Sequence, residues 1–144
     1  MSQSERLVSK DYYVEFAAAG GSYVDISGDY TGFDWTGAAD GADLTANNDA
    51  AAYEKPGVKR YDYSLEAYYR GAAGTAVYAV LKEGTEGTIR WGPDGTAAGK
   101  PKGEAPVYVS EFKHSSGGLN QAQKISVKFG PQGALTSDPR TDTW

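Results

Sequence analysis

The chain has 144 residues, enough for one domain with a core of its own. It contains no cysteine and one histidine, His114, which excludes a disulfide framework, a thiol nucleophile and a Cys- or His-rich metal site. The formal charge of −5 leaves no basic footprint for gripping nucleic acid, and 19 glycines with 11 tyrosines mark a turn-rich β protein.

In chain order, residues 1–10 are polar, with no apolar stretch of the kind a leader carries, and no run approaches the ~20 residues a bilayer span needs. Tyr12, Val14 and Phe16 alternate with Tyr13 and Glu15, which predicts a first strand. Gly20-Gly21 ends it. Residues 23–27 predict a second strand, resuming through Phe33 and Trp35 after a Gly28-Asp29 kink. Residues 36–57, rich in Gly, Ala, Asp and Asn, read as a long loop of the functional or disordered kind, ordered only on assembly.

The clearest strand covers 58–69. Tyr61, Tyr63, Leu65, Ala67 and Tyr69 share one face; Arg60, Asp62, Ser64, Glu66 and Tyr68 share the other, which must meet water or a polar lumen. Residues 71–84 hold the one helix, with Thr75 as its cap, Gly84 as its stop, and an apolar stripe of Ala76, Val77, Val80 and Leu81. A short strand at 88–91 and a turn at 92–95 follow. Residues 107–113 and 124–129 pair as a final hairpin, the latter with Ile125, Val127 and Phe129 inward. Residues 130–144 form a tail whose Trp144 either docks on a neighbour or stays exposed.

Charge is divided along the chain. No Lys or Arg lies between Lys10 and Lys55, a stretch holding Asp25, Asp29, Asp34, Asp40, Asp43, Asp49 and Glu54 among its acids. From Lys55 onward 12 basic residues face 9 acidic ones, a net of 12 − 9 = +3. Either the acids are solvated or an acidic surface meets a basic one.

Catalytic patterns fail on inspection. Gly99-Lys100 lacks the P-loop's first glycine, with Asp94 in its place, and has Pro101 where Ser or Thr belongs. Asp40, Asp43, Asn47 and Asp49 lack EF-hand spacing. His114 has Ser115 and Ser116 beside it but no nucleophile elbow. The residues predict no enzyme, no cofactor and no metal site. They predict one mainly β domain: a β-sandwich or barrel-like sheet with one short flanking α-helix, a long inter-strand loop and extended termini. Its open edges suit pairing with further copies.

Several segments resemble the major tail proteins of long-tailed, siphovirus-like phages. Val24-Asp25-Ile26-Ser27-Gly28 resembles their opening motif. The strand from Tyr61 to Tyr69 resembles their long central strand. Ile89-Arg90-Trp91-Gly92-Pro93-Asp94-Gly95 and the stretch from Ile125 to Thr136 resemble their C-terminal half. The order agrees over residues 12–136. The resemblance implies a virion tail-tube subunit, assembled in the host cytoplasm, with six copies per ring and stacked rings around a lumen that conducts DNA. It divides the chain into an N-terminal arm (1–10), an inter-ring loop (36–57) carrying Asp40, Asp43, Asp49 and Glu54, and a C-terminal arm (130–144). Asp62 and Glu66 become candidates for the lumen, with the outside of the particle as the other place for them. Lys55, Lys59, Arg60 or Lys128 of the next ring are candidate partners for the loop. Six copies carry 6 × −5 = −30, so DNA is expected to pass without tight binding, no membrane is involved, and the partners are further copies and other tail proteins: tape measure, tail tip and terminator. The alternative is a carbohydrate- or ligand-binding β-sandwich, with Trp35, Trp91 and Tyr68 as a stacking platform.

Overall fold

A computed structural model describes residues 7, 9–27, 30–48 and 50–144. Most of the N-terminal arm (1–6 and 8), the Gly28-Asp29 kink and Asp49 lie outside the described residues. The elements are β1 (Tyr13–Ala18), β2 (Val24–Asp25), β3 (Tyr30–Asp43), β4 (Glu54–Tyr68), α1 (Thr75–Val80), β5 (Glu86–Gly92), β6 (Gly103–Ser115) and β7 (Lys124–Pro131). The strands form one antiparallel sheet in the order β2-β1-β5-β6-β7-β4-β3. The fold is mainly β with one short helix, as the alternating strands predict.

The sheet is curled. Phe16 on β1 and Phe129 on β7 are three strands apart, ~14 Å in a flat sheet, yet their ring centroids are 5.6 Å apart. Trp35 on β3 and Trp91 on β5 are four strands apart, ~19 Å if flat, and also meet at 5.6 Å. One face therefore folds onto itself and becomes the core. Trp91 sits at its centre, fully buried, against Phe33, Trp35 and Tyr63. Its indole lies flat over Gly103 of β6, where a β-carbon would overlap the ring. The sheet does not close into a barrel: among the described residues no ladder joins β2 to β3, so both remain edges.

Three bulges bend the strands. The pairing slips one residue on β3 between Tyr30 and Gly32, on β4 opposite Asp40, and on β6 at Ser110. The Ser110 hydroxyl donates to the Lys128 carbonyl there.

The helix is shorter than its pattern predicts. A 3-10 turn over Gly71–Gly74 precedes α1, and the N-cap is Gly74; the Thr75 hydroxyl instead bonds back to the Ala72 carbonyl, so it does not cap. Gly84, at φ +84, ends the segment in the left-handed region as expected. Leu81 is the buried anchor, whereas Ala76 of the predicted stripe is exposed.

The largest departure concerns residues 36–57. They are not a loop awaiting order: β3 runs on through Asp43 and β4 begins at Glu54, leaving 44–53 as the connection. The backbone is already paired, and the turn is closed by Leu44 N–H to Tyr53 carbonyl (2.8 Å) and Tyr53 N–H to the Thr45 hydroxyl (2.8 Å). Composition hid these strands because pairing, not packing, holds them.

The tail departs too. Trp144 packs on its own chain. Ser137 bridges to Glu104, Thr143 bridges to Pro101, and Trp144 N–H donates to the Lys100 carbonyl. Beneath it lies a charged row across β1, β5 and β6: Glu15, Arg90 and Glu104. Glu15 is only 8% exposed; it is ion-paired to Arg90 and accepts from the Tyr13 hydroxyl at 2.7 Å. Burial first, and that hydrogen bond second, hold the Tyr13 phenol protonated well above its usual range. The Arg90 guanidinium lies 3.5 Å from the Tyr23 ring centroid and 5.7 Å from that of Trp144.

Three stability outcomes follow from this packing. Removing Arg90 leaves a buried carboxylate unpaired: Arg90→Ala should cost about 3 kcal/mol in urea unfolding, and adding Glu15→Leu should restore most of it. Among the described residues the buried Tyr63 hydroxyl has no hydrogen-bond partner, and burial pushes its phenol up. Tyr63→Phe should therefore be neutral or stabilising by up to ~1 kcal/mol, whereas Trp91→Ala should lose about 3–5 kcal/mol.

Candidate functional site

Because the apolar face is spent on the core, the outer face of the sheet is left to meet water or other protein. The tail and Tyr23 cover it over β1 and β5. Over the rest of β6, β7, β4 and β3 it is bare. Cross-strand register sets its side chains in rows. One row runs Asp34, Ser64, Lys128, Glu111; the next runs Gly32, Glu66, Ser126, Lys113; a third runs Tyr68, Lys124, Ser115. Asp62 lies opposite Thr36 and pairs with Arg60 at 3.1 Å. A shallow groove of about 410 Å³ crosses this face, lined by Asp34, Arg60, Asp62, Ser110 and Lys128 among others.

The structure brings Asp62 and Glu66 to this one exposed face, but not as an acidic patch. Four exposed acids (Asp34, Asp62, Glu66, Glu111) are interleaved with four exposed bases (Arg60, Lys113, Lys124, Lys128), a net of zero. The sequence separates these charges by up to about ninety positions, so only the register reveals the balance.

Beyond the sheet, β3 and β4 continue as a two-stranded arm. From residue 36 to residue 43 and from 54 to 60 every described side chain is exposed. Among the described residues neither face of this arm is buried, and an isolated two-stranded hairpin is marginal in water. Asp40, Asp43 and Glu54, expected in a loop, sit on the paired strands of this arm. So do Lys55, Lys59 and Arg60, expected as partners from another copy. At the tip Asp43 and Glu54 are directly opposite each other. The Asp43 carboxylate accepts the Thr45 N–H at 2.9 Å, and hydrogen bonds from Thr45 hold its pKa below the usual carboxylate range.

A sugar-stacking platform is not assembled. Trp91 is fully buried, Trp35 packs against it, and Tyr68 lies on the opposite face of the sheet. Among the described residues no group of three or more His, Asp or Glu is placed to hold a metal ion, and no helix is long and apolar enough to cross a membrane. Sequence reasoning missed the Glu15–Arg90–Glu104 row and its Trp144 cover; the signal available was a charged pair, Glu15 and Arg90, on strands otherwise apolar.

The sequence matches no protein-family model and no curated protein. The fold does match solved structures. The tail of an empty gene transfer agent particle, refined with C6 symmetry, superposes with a TM-score of 0.69 at 14% identity over 92% of this chain and 99% of that one. The SPP1 tail tube gives 0.70 at 13% identity over 92% of this chain and 80% of that one. The baseplate of the anti-feeding prophage, 6-fold symmetrised, gives 0.62 at 11% identity over 95% and 98%. The chain has the fold of phage-type tail tube proteins.

Proposed function

We propose that the chain is the structural, non-enzymatic subunit of a virion tail tube of the long-tailed, siphovirus-like kind, assembling as stacked hexameric rings around a lumen that conducts DNA. The observation that carries this reading is the fold match to tail tubes over 92% of the chain. Three features of the molecule support it. Two sheet edges are open, the arm is covered on neither face, and the one bare face is polar. In the tube the bare face lines the lumen, the open edges join neighbours within a ring, and the arm reaches the adjacent ring. Tape-measure, tail-tip and terminator proteins are the other partners in the tail.

The bare face also explains how DNA passes without being held. Duplex DNA carries one charge per ~1.7 Å and binds where cations release its counterions. Here two of the four cations already have an acid beside them: Lys128 faces Glu111, and Arg60 pairs with Asp62. Balance, rather than net negative charge, leaves no basic stripe to retain the duplex.

Electron microscopy of the concentrated protein should show rings or hollow tubes, and a strictly monomeric protein in native particles would overturn the reading. Assembled tubes should retain little duplex at physiological salt. Replacing Asp62 and Glu66 together by lysine changes the face from zero to +4 per copy, 6 bases against 2 acids. Such tubes should retain duplex in a salt-dependent way; unchanged retention would place that face away from the lumen.

A further inference from the structure

The two ends of β4 carry side chains that the chain's own packing leaves exposed. At the N-terminal end, the arm tip sets Asp43 directly opposite Glu54. Like charges facing each other across a ladder destabilise it unless a cation joins them. No ion pair within the chain engages either carboxylate among the described residues. Beside them Leu44 and Tyr53 are each about half exposed. At the C-terminal end, a groove of about 400 Å³ is lined by Tyr68, Ser115, Gly117, Gln121, Ala122 and Lys124. Tyr68 is 44% exposed, and the Lys124 ammonium lies 5.7 Å from its ring centroid with no carboxylate in ion-pair reach among the described residues. One surface is acidic and apolar; the other is cationic and aromatic.

We propose that the arm tip of one copy seats in this groove of a second copy, with Asp43 and Glu54 against Lys124, and Leu44 and Tyr53 against Tyr68. The pairing rests on the tail-tube reading and adds the acceptor site to it. A chain cannot satisfy itself this way. The tip and groove are separated by the 15 residues of β4, ~45 Å at a strand rise of ~3.3 Å per residue. The two surfaces differ, so the contact is heterologous: each copy offers one tip and one groove, and the stack grows with a direction. The same strand sets the repeat. With strands tilted by up to ~40° from the tube axis, β4 spans ~35–45 Å along it, and the ring spacing should fall in that interval.

The absence of cysteine makes the contact directly testable. Leu44→Cys with Gln121→Cys should, on mild oxidation of assembled tubes, give a ladder of covalent dimers, trimers and higher species. Either cysteine alone should give no ladder. A charge exchange provides a second readout: Glu54→Lys or Lys124→Glu alone should raise the concentration at which tubes appear at least about tenfold, because every copy in a ring loses the same pair, and the two together should bring it back down. A ladder or a rescue supports the pairing. Tubes that form with neither, or native particles in which Gln121→Cys crosslinks to a different protein, overturn it while leaving the tail-tube reading intact. If the unaltered chain forms no rings or tubes under any condition, the tail-tube reading itself fails.

Discussion

A seven-stranded sheet has two faces, and this chain has apolar side chains for one of them. Curling the sheet is how that single face is kept from water. Trp91 is the pivot: its indole meets Phe33, Trp35 and Tyr63, side chains that a flat sheet would hold three or four strands away. Such rings bring both area and tilted ring–ring contacts to the core. Once the curl is set, the outer face has no second layer to bury it, and its character decides what the protein can do. It can be wet, or it can meet other protein.

The chain uses both solutions on different halves of that face. Over β1, β5 and the start of β6, the tail and Tyr23 seal a row of charges. A buried ion pair of that kind adds little net stability, because desolvation offsets the attraction. What it does is penalise misplacement: an undocked tail exposes the cation's aromatic faces, and a missing Arg90 strands Glu15. The covered half is thereby tied to one arrangement of the tail. Over β4 and β7 the charges remain in water, where exposed pairs contribute little stability. Their interleaving matters instead for the field of the face, which carries no net charge.

What was legible in the sequence follows the same division. The strand from Tyr61 to Tyr69 and the strand from Ile125 to Phe129 announce themselves by strict alternation, since each has one face in the core and one in water. Residues 36–43 and 54–57 carry no such signal. Both of their faces are wet, so Gly, Ala, Asp and Lys suffice, and the only force ordering them is the ladder itself. Trp144 was equally opaque: its partners, Arg90 and Lys102, are more than forty positions upstream, and an isolated tryptophan at the end of a sequence says nothing of where it lands. Asp62 and Glu66 were correctly placed on a polar face by alternation, yet the neutrality of that face depends on Lys113, Lys124 and Lys128, which only the register brings alongside.

The wet arm has a further consequence for a chain whose edges are open. A 14-residue edge strand such as β3 is a template on which any extended peptide can pair. Three devices restrain it here. The bulge near residue 31 interrupts the run of free backbone groups on β3, and the β4 bulge opposite Asp40 bends the pair. Asp34, Asp40 and Asp43 add charge along the edge. Glycines at 32, 37 and 41 deny it the apolar grip that would stabilise a chance partner. These features lower the affinity of the edge for arbitrary strands without removing its hydrogen-bonding capacity, so pairing must be supported by contacts elsewhere. A correctly oriented second copy can supply such contacts through its other exposed surfaces; a random peptide cannot. The arm's poor composition for a core therefore suits a surface that meets water on both faces and holds a partner only where several weak contacts form together.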